Sequence, residues 1–281
     1  MKRLGRFFTG FVLVSVTLLL LLFLGTSAMD DRSSFTALQT EFNQKGISIA
    51  EHQYPLSGGE LYYVTIGEND LPSLLLIHGS PGDWTAWKKL ILTTDITQYF
   101  HLILLDRPAY QASTIAGGTL EKQSKAMAQL LQEHCHPCGV VGHSYGAALA
   151  LQLSVDYPDA TAAILSISGT IAAPYQSPRW YNHLANRSII SPFLPLSFRL
   201  SNKEMMALPK DLTLLETRLR RSSHHYYFLQ GERDVLVDPA SVFYYQNSFN
   251  QNTIHYSSRW DHFVLWTATD EVANFIKSAN L

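Results

Sequence analysis

The tightest constraint in this chain is five residues long: Gly142-His143-Ser144-Tyr145-Gly146. An apolar strand-like run at 139–141 precedes it, and a helical stretch rich in small residues at 147–153 follows. A serine between two glycines at such a junction calls for a sharp strand-to-helix turn. Gly142 and Gly146 omit side chains that would collide as the two elements close on each other. The turn places Ser144 at the top of a sheet and at a helix N-terminus. There, backbone N–H groups and the helix dipole face developing negative charge.

The flanking sequence supplies the sheet. Ser73–Ile77 and His101–Leu105 are continuous apolar runs of strand length, as expected of strands covered on both faces in a parallel sheet. Further strands are expected at 163–167, 226–229 and 253–256. Helices are expected at Leu120–His134, 144–157, 239–247 and 270–278. Upstream, 47–54 and 60–66 alternate in polarity around 55–59 and read as a hairpin. Strand and helix alternate, so the fold class is α/β with an open, doubly wound sheet. One stretch breaks the rhythm. Residues 170–223 hold Pro174, Pro178, Pro192, Pro195 and Pro209, several aromatics, and a helical piece at 211–220. A simple crossover needs far fewer residues. Trp180, Tyr181, Phe193 and Phe198 give the stretch apolar material to bury, so it reads as an inserted lid of short helices, not a disordered linker.

Three positive residues, Lys2, Arg3 and Arg6, precede an uncharged stretch at 7–24. Its length is near the lower edge of a spanning helix and above the usual core of a cleaved signal. Thr26-Ser27-Ala28 would suit signal peptidase. A positive flank stays in the cytoplasm, so the remainder is expected outside it, on the periplasmic or extracellular face. The expected organisation is a signal anchor or signal peptide at 1–28 and a connector at 29–46 with a short helix at 34–44. The core is then 47–169 plus 224–281, with the helical insertion at 170–223. Cleavage after 28 would give a secreted protein instead of a membrane-anchored one.

Composition narrows the partners. A formal net charge of -2 offers no basic excess to neutralise phosphates, so nucleic acid is not an expected partner. Two cysteines occur, in Cys135-His136-Pro137-Cys138. A redox C-x-x-C normally opens a helix, where the thiolate is stabilised. This pair instead follows a helical stretch and precedes a strand, so a short-loop structural disulfide or two inert thiols is the plainer reading. With no second pair, the motif is too little for a zinc site, so no metal is expected.

A serine hydroxyl is a weak nucleophile and needs a base. In a sheet built this way, the chain order is serine, acid, histidine, with the histidine on the loop after the last strand. His262, in Trp260-Asp261-His262-Phe263, holds that place among 11 histidines. His255 falls inside a strand pattern, and His224 and His225 open one. Asp234 follows the preceding strand and is the expected acid, with Glu232 and Asp238 as rivals. It would orient the imidazole, fix its tautomer and stabilise the imidazolium. His78-Gly79-Ser80-Pro81-Gly82 follows the strand Ser73–Ile77 and is placed to supply an oxyanion hole. Pro81 has no N–H, so the donors are expected to be the backbone of Ser80 and of Tyr145.

These residues, with Asp106-Arg107-Pro108, resemble the α/β-hydrolase superfamily over about 45–281. The resemblance implies an eight-stranded, mostly parallel sheet, a lid after the sixth strand and no cofactor. His78-Gly79-Ser80-Pro81-Gly82 is similar to the H-G-G-P-G of proline iminopeptidases, with Ser80 in place of a glycine. Asp106-Arg107-Pro108 resembles the D-x-x-G turn without its glycine-rich continuation; Asp106 and Arg107 are expected to be structural. Serine at the nucleophile position disfavours the dehalogenase and epoxide hydrolase subfamilies, which use a carboxylate.

The expected activity is hydrolysis of a small or medium carboxylic ester, the work of a carboxylesterase-like serine hydrolase. Trp84, Trp87, Tyr145, Phe193 and Phe198 are candidates for an apolar pocket wall. Two other enzyme readings stay open: an aminopeptidase, for which Glu204, Asp211 or Glu216 could meet a substrate amine, and a carbon–carbon bond hydrolase. The alternative from a different class is a non-catalytic binding module tethered to a membrane, although all three triad residues are present.

Overall fold

The computed structural model describes residues 34–134, 137–246 and 251–279. The uncharged stretch at 7–24 and Cys135 lie outside them. Among the described residues, no helix is long and apolar enough to cross a membrane. Cys138 is disulfide-bonded.

Eight strands form one sheet in the order β1-β2-β4-β3-β5-β6-β7-β8. They are β1 (Ile49–Leu56), β2 (Gly59–Ile66), β3 (Ser73–Ile77), β4 (His101–Leu105), β5 (Cys138–His143), β6 (Thr161–Ile167), β7 (His225–Gly231) and β8 (Gln251–Ser257). β2 pairs antiparallel with β1 and with β4; every pair from β4 to β8 is parallel. Pro55 and Leu56, expected in the hairpin turn, belong to β1 and pair with Glu60 and Gly59. β1 is an edge strand, where a residue without an N–H costs no ladder bond on its open side.

Strand residues alternate between two apolar layers, as a period of two requires. Leu75, Ile77, Ile103 and Leu105 pack with α3 (Leu120–His134) and α4 (Tyr145–Asp156). Leu74, Leu76, Leu102 and Leu104 face the other side. That side carries α1 (Phe35–Asn43), α2 (Lys88–Thr93), α8 (Val264–Thr267) and α9 (Thr269–Lys277), whose apolar residues complete the layer. Ser34 caps α1 by accepting from the Ala37 N–H at 3.3 Å.

Between β6 and β7 the chain forms α5 (Trp180–Ala185) and a long helix, α6 (Leu196–Leu219). The helical piece expected at 211–220 is the end of this longer helix, which runs through Pro209. A proline in a helix interior costs about 3 kcal/mol. Burial of Leu208, Leu212, Leu215 and Leu219 offsets that, at roughly 1.5–3 kcal/mol for each fully buried side chain. The helix expected at 239–247 is shorter, α7 (Ser241–Tyr244).

Candidate active site

Because β3, β5, β6, β7 and β8 are neighbouring parallel strands, their C-terminal ends share one edge of the sheet. The loops leaving that edge meet, which is where open α/β sheets build their sites. Ser144 leaves β5 and caps α4 with φ 54° and ψ -119°. A positive φ is uncommon for a residue with a side chain and is a place where backbone strain is stored. Neighbouring backbone holds it there. The Ser144 N–H donates to the Ile167 carbonyl at 3.0 Å, and its own carbonyl accepts from the Thr170 N–H at 3.2 Å. The glycines are needed as well. A Cβ on Gly142 would run into the Gly146 carbonyl, and one on Gly146 into the Ile77 carbonyl.

Asp234 and His262 leave β7 and β8 and are both buried. His262 Nδ1 lies 2.9 Å from Asp234 Oδ2. A carboxylate can only accept, so Nδ1 carries the proton and Nε2 of the neutral ring has its lone pair free. Gln230 Nε2 donates to the same carboxylate oxygen at 3.1 Å. The Leu236 and Val237 N–H groups donate to the other, at 2.9 and 2.8 Å. Burial raises the Asp234 pKa, but the hydrogen bonds from His262, Val237 and Gln230, with the charge of His262, outweigh it and the net shift is downward. The rivals stand apart. Glu232 and Asp238 are exposed, and Asp238 caps the Ala240 N–H at 2.9 Å. His255 packs on Phe275, and His225 stacks on Tyr227.

His143 underlies this pair. Its Nε2 lies 3.2 Å from the His262 carbonyl, and its ring meets Trp266 edge-on. Burial, helped by the charge of His262, pushes its pKa down to about 3, so it stays neutral.

The loop at 78–82 reaches Ser144: a Cβ on Gly79 would lie 3.1 Å from Ser144 Cβ. His78 shapes this loop. Its Nε2 accepts the Arg107 N–H at 3.0 Å, and its Nδ1 donates to the Gly79 carbonyl at 2.8 Å. Burial, with the charge of Arg107, holds its pKa well below the usual value. Tyr145 is the first residue of α4, so its N–H has no upstream helical carbonyl to meet.

Arg107 is wholly buried and joins this loop to α6. Its Nη1 donates to Glu204 Oε1 at 2.6 Å and its Nη2 to the Gly79 carbonyl at 3.0 Å. The guanidinium stacks between Tyr110 and Tyr145, 4.5 and 4.7 Å from their ring centres. Burial would lower its pKa, but Glu204 more than offsets that and the net shift is upward. Glu204 Oε2 also accepts from Ser80 Oγ at 2.5 Å and from the Tyr110 hydroxyl at 2.7 Å. Asp211 accepts the first N–H of α3, that of Leu120, at 3.0 Å, and Glu216 pairs with Arg220. Each of the three acids considered for a substrate amine is therefore occupied elsewhere. Asp106 accepts from the Trp84 and Ala112 N–H groups, so it and Arg107 serve the framework.

A cavity of about 440 Å³ opens beside Ser144, and Ser80, Pro81 and His262 also line it. Leu194, Phe198, Met205 and Leu208 form its apolar part; Asn182, Asn202 and Arg179 add polar groups. Trp84 and Trp87, expected in the pocket wall, are not there. Both are fully buried in the layer beneath α1, Trp84 with its ring 6.2 Å from that of Phe42. Asp83 accepts the Thr85 N–H at 2.7 Å and opens the single turn that carries both indoles. Phe193 is also outside the cavity and 72% exposed, because the short turn at Ser191–Phe193 points it outward while Leu194 turns in. The Tyr145 ring lies against Arg107, not along the cavity. Gln230 and Thr170 were missed from sequence. Gln230 had a signal, a polar residue ending a buried apolar strand.

Residues 74–277 match the model of the Alpha/beta hydrolase family. Among curated proteins, the chain is 26% identical over 121 residues to epoxide hydrolase 3 of Mus musculus, across 40% of this chain and 32% of that protein. The chain thus spans about a third of the length of that relative. Among solved structures it is similar to a membrane phospholipase A described as a bacterial virulence factor, with a TM-score of 0.66 and 17% identity. That similarity covers 99% of this chain and 98% of the other. It is also similar to 2-hydroxy-6-oxo-6-phenylhexa-2,4-dienoate hydrolase from Rhodococcus sp. strain RHA1, with a TM-score of 0.65 and 17% identity, over 82% of this chain and 98% of that one.

Proposed function

The chain belongs to the alpha/beta hydrolase family, and on that premise we propose that it is a serine hydrolase cleaving carboxylic esters of small or medium size through an acyl-enzyme. One observation carries the reading: the imidazole oriented by Asp234 at 2.9 Å borders the same cavity as Ser144. Ser144 Oγ attacks the ester carbonyl while His262 Nε2 takes its proton. The N–H groups of Ser80 and Tyr145 receive the oxyanion, at roughly 3 kcal/mol of transition-state stabilisation per donor. His262 then protonates the departing alcohol. Water, deprotonated by the same ring, releases the acid and restores the serine.

The cavity supports an ester with a modest apolar acyl part, held along Leu194, Phe198 and Met205. A serine at 144 favours acyl transfer over epoxide opening. The aminopeptidase reading loses its support, because Glu204, Asp211 and Glu216 are committed elsewhere. The stretch at 7–24 is proposed to tether the domain to a membrane, outside the cytoplasm.

A fluorophosphonate probe should label the wild type and not Ser144→Ala. A p-nitrophenyl acyl-chain series and a proline amide then separate esterase from peptidase. An unlabelled wild type would leave a binding module as the better reading.

A further inference from the structure

A few exposed apolar side chains are ordinary on any protein, but a concentration of them around a cavity mouth is not. Between positions 180 and 196 the insertion exposes Trp180 (75%), Ile189 (76%) and Phe193 (72%), together with Tyr181, Leu184 and Leu196. The chain beside three of them faces inward: Tyr181 next to Trp180, Ala185 next to Leu184 and Leu194 next to Phe193 line the cavity. The exposed set is therefore the rim of the opening. Two side-chain hydrogen bonds tie the rim to its neighbours. Asn182 Nδ2 donates to Asn202 Oδ1 at 3.0 Å, which ties α5 to α6, and Arg179 Nη2 donates to the Val235 carbonyl at 3.0 Å.

Charge indicates what meets this rim. From position 160 to 203 the chain has no Asp or Glu, yet it carries Arg179, Arg187, Arg199 and Lys203. The whole chain has a net charge of -2, so the positive sign is local. The adjacent loop with Val235 and Leu236 does hold the exposed acids Glu232 and Asp238, which confines the basic character to the insertion. Exposed Trp, Ile and Phe among Arg and Lys, without acids, are the composition of a segment that settles into the headgroup boundary of an anionic bilayer. A second copy of this chain fits poorly, because like faces would bring the arginines together.

We propose that this rim docks on an anionic phospholipid surface, so that the cavity mouth opens onto lipid. Docking is a property of the rim; delivery of an ester from that surface to Ser144 rests on the serine hydrolase reading above.

The test uses the full chain in phosphatidylcholine nanodiscs, with and without phosphatidylglycerol, and compares it with Trp180→Phe. Difference emission isolates Trp180, and lipids brominated near the headgroup quench it only on contact. The expected result is loss of the Trp180 component in discs with phosphatidylglycerol, much less loss in neutral discs, and recovery in high salt as the attraction is screened. Trp180→Ser/Ile189→Ser should hydrolyse a disc-embedded ester more slowly while Ser144 labels with soluble fluorophosphonate at the wild-type rate. An unquenched Trp180 in anionic discs overturns the proposal. So does equal quenching in neutral discs, or shielding of Trp180 that follows protein concentration without lipid. If Ser144 fails to label while quenching persists, the hydrolase reading falls and docking stands.

Discussion

Asp234 and Glu204 are both buried carboxylates with every oxygen in use, yet they stand in different relations to the cavity. Glu204 holds Arg107, a cation without a titratable state, and spends its other bonds on Gln123, Tyr110 and Ser80. Asp234 holds His262, whose second ring nitrogen is free for other work. Saturation alone thus does not tell the two carboxylates apart. What separates the two is whether the partner can take up and release a proton.

The sharpest way to break this contrast is Asp234→Asn. The amide oxygen can still accept from Leu236 and Val237, but the amide N–H₂ faces His262 and forces the wrong tautomer. Turnover should fall by about 10⁴-fold, while the melting temperature shifts little. A large loss of stability in place of activity would put Asp234 in the same class as Glu204.

Glu204→Ala should do the reverse. It leaves the Arg107 guanidinium buried without a counter-charge, at about 3–5 kcal/mol. For a domain of this size that lowers Tm by roughly 10 °C, readable by calorimetry. Unchanged Tm with abolished fluorophosphonate labelling would make Glu204 part of the chemistry and end the contrast.

Acid titration gives the most graded effect. His143 has an ordinary value of 6.5 and is pushed to about 3 by burial, so below pH 6.5 the unfolded chain binds a proton that the folded one does not. Stability should therefore fall with decreasing pH from about 6.5 downward, by up to 1.4 kcal/mol per unit for this one group. Asp234 differs in window. Its pKa is depressed below 3.8, so its contribution is present above that value and is lost only as pH falls through the folded pKa. Denaturant unfolding from pH 7 to 3 should show His143→Gln with a shallower decline from 6.5, and Asp234→Asn keeping the wild-type slope down to about pH 4 and declining less than wild type below it. An unchanged slope in His143→Gln would mean that another group, such as the buried His78, sets the acid limb.

Much of this was legible in the sequence because local rules and the sheet agree. The apolar runs at Ser73–Ile77 and His101–Leu105 have the predicted bounds, and Leu120–His134 is one helix as its pattern implied. Ser144, Asp234, His262 and Ser80 were chosen from loop positions, and parallel strand order explains why such loops meet. Long-range packing was not legible. Pro209 reads as a helix stop in any local scheme, and only burial of the leucines around it lets α6 continue. Trp84, Trp87 and Phe193 were placed by residue type, which says that an aromatic ring prefers burial but not on which side of the sheet. Glu204 looked like a free lid carboxylate because its cation, Arg107, is 97 positions away.

The bond from Glu204 to the framework has a consequence for how substrate enters. Swinging α6 outward would take the counter-charge Glu204 away from Arg107 and leave that cation only the neutral acceptors Gln123 and Gly79, so the helix behaves as a fixed post. Widening of the doorway is left to the frontal stretch at 176–194, whose short turns and prolines are tied to the post by the Asn182–Asn202 hydrogen bond. Amide exchange should accordingly find that stretch opening well before the 208–219 end of α6, making the entrance a hinged flap on a rigid jamb.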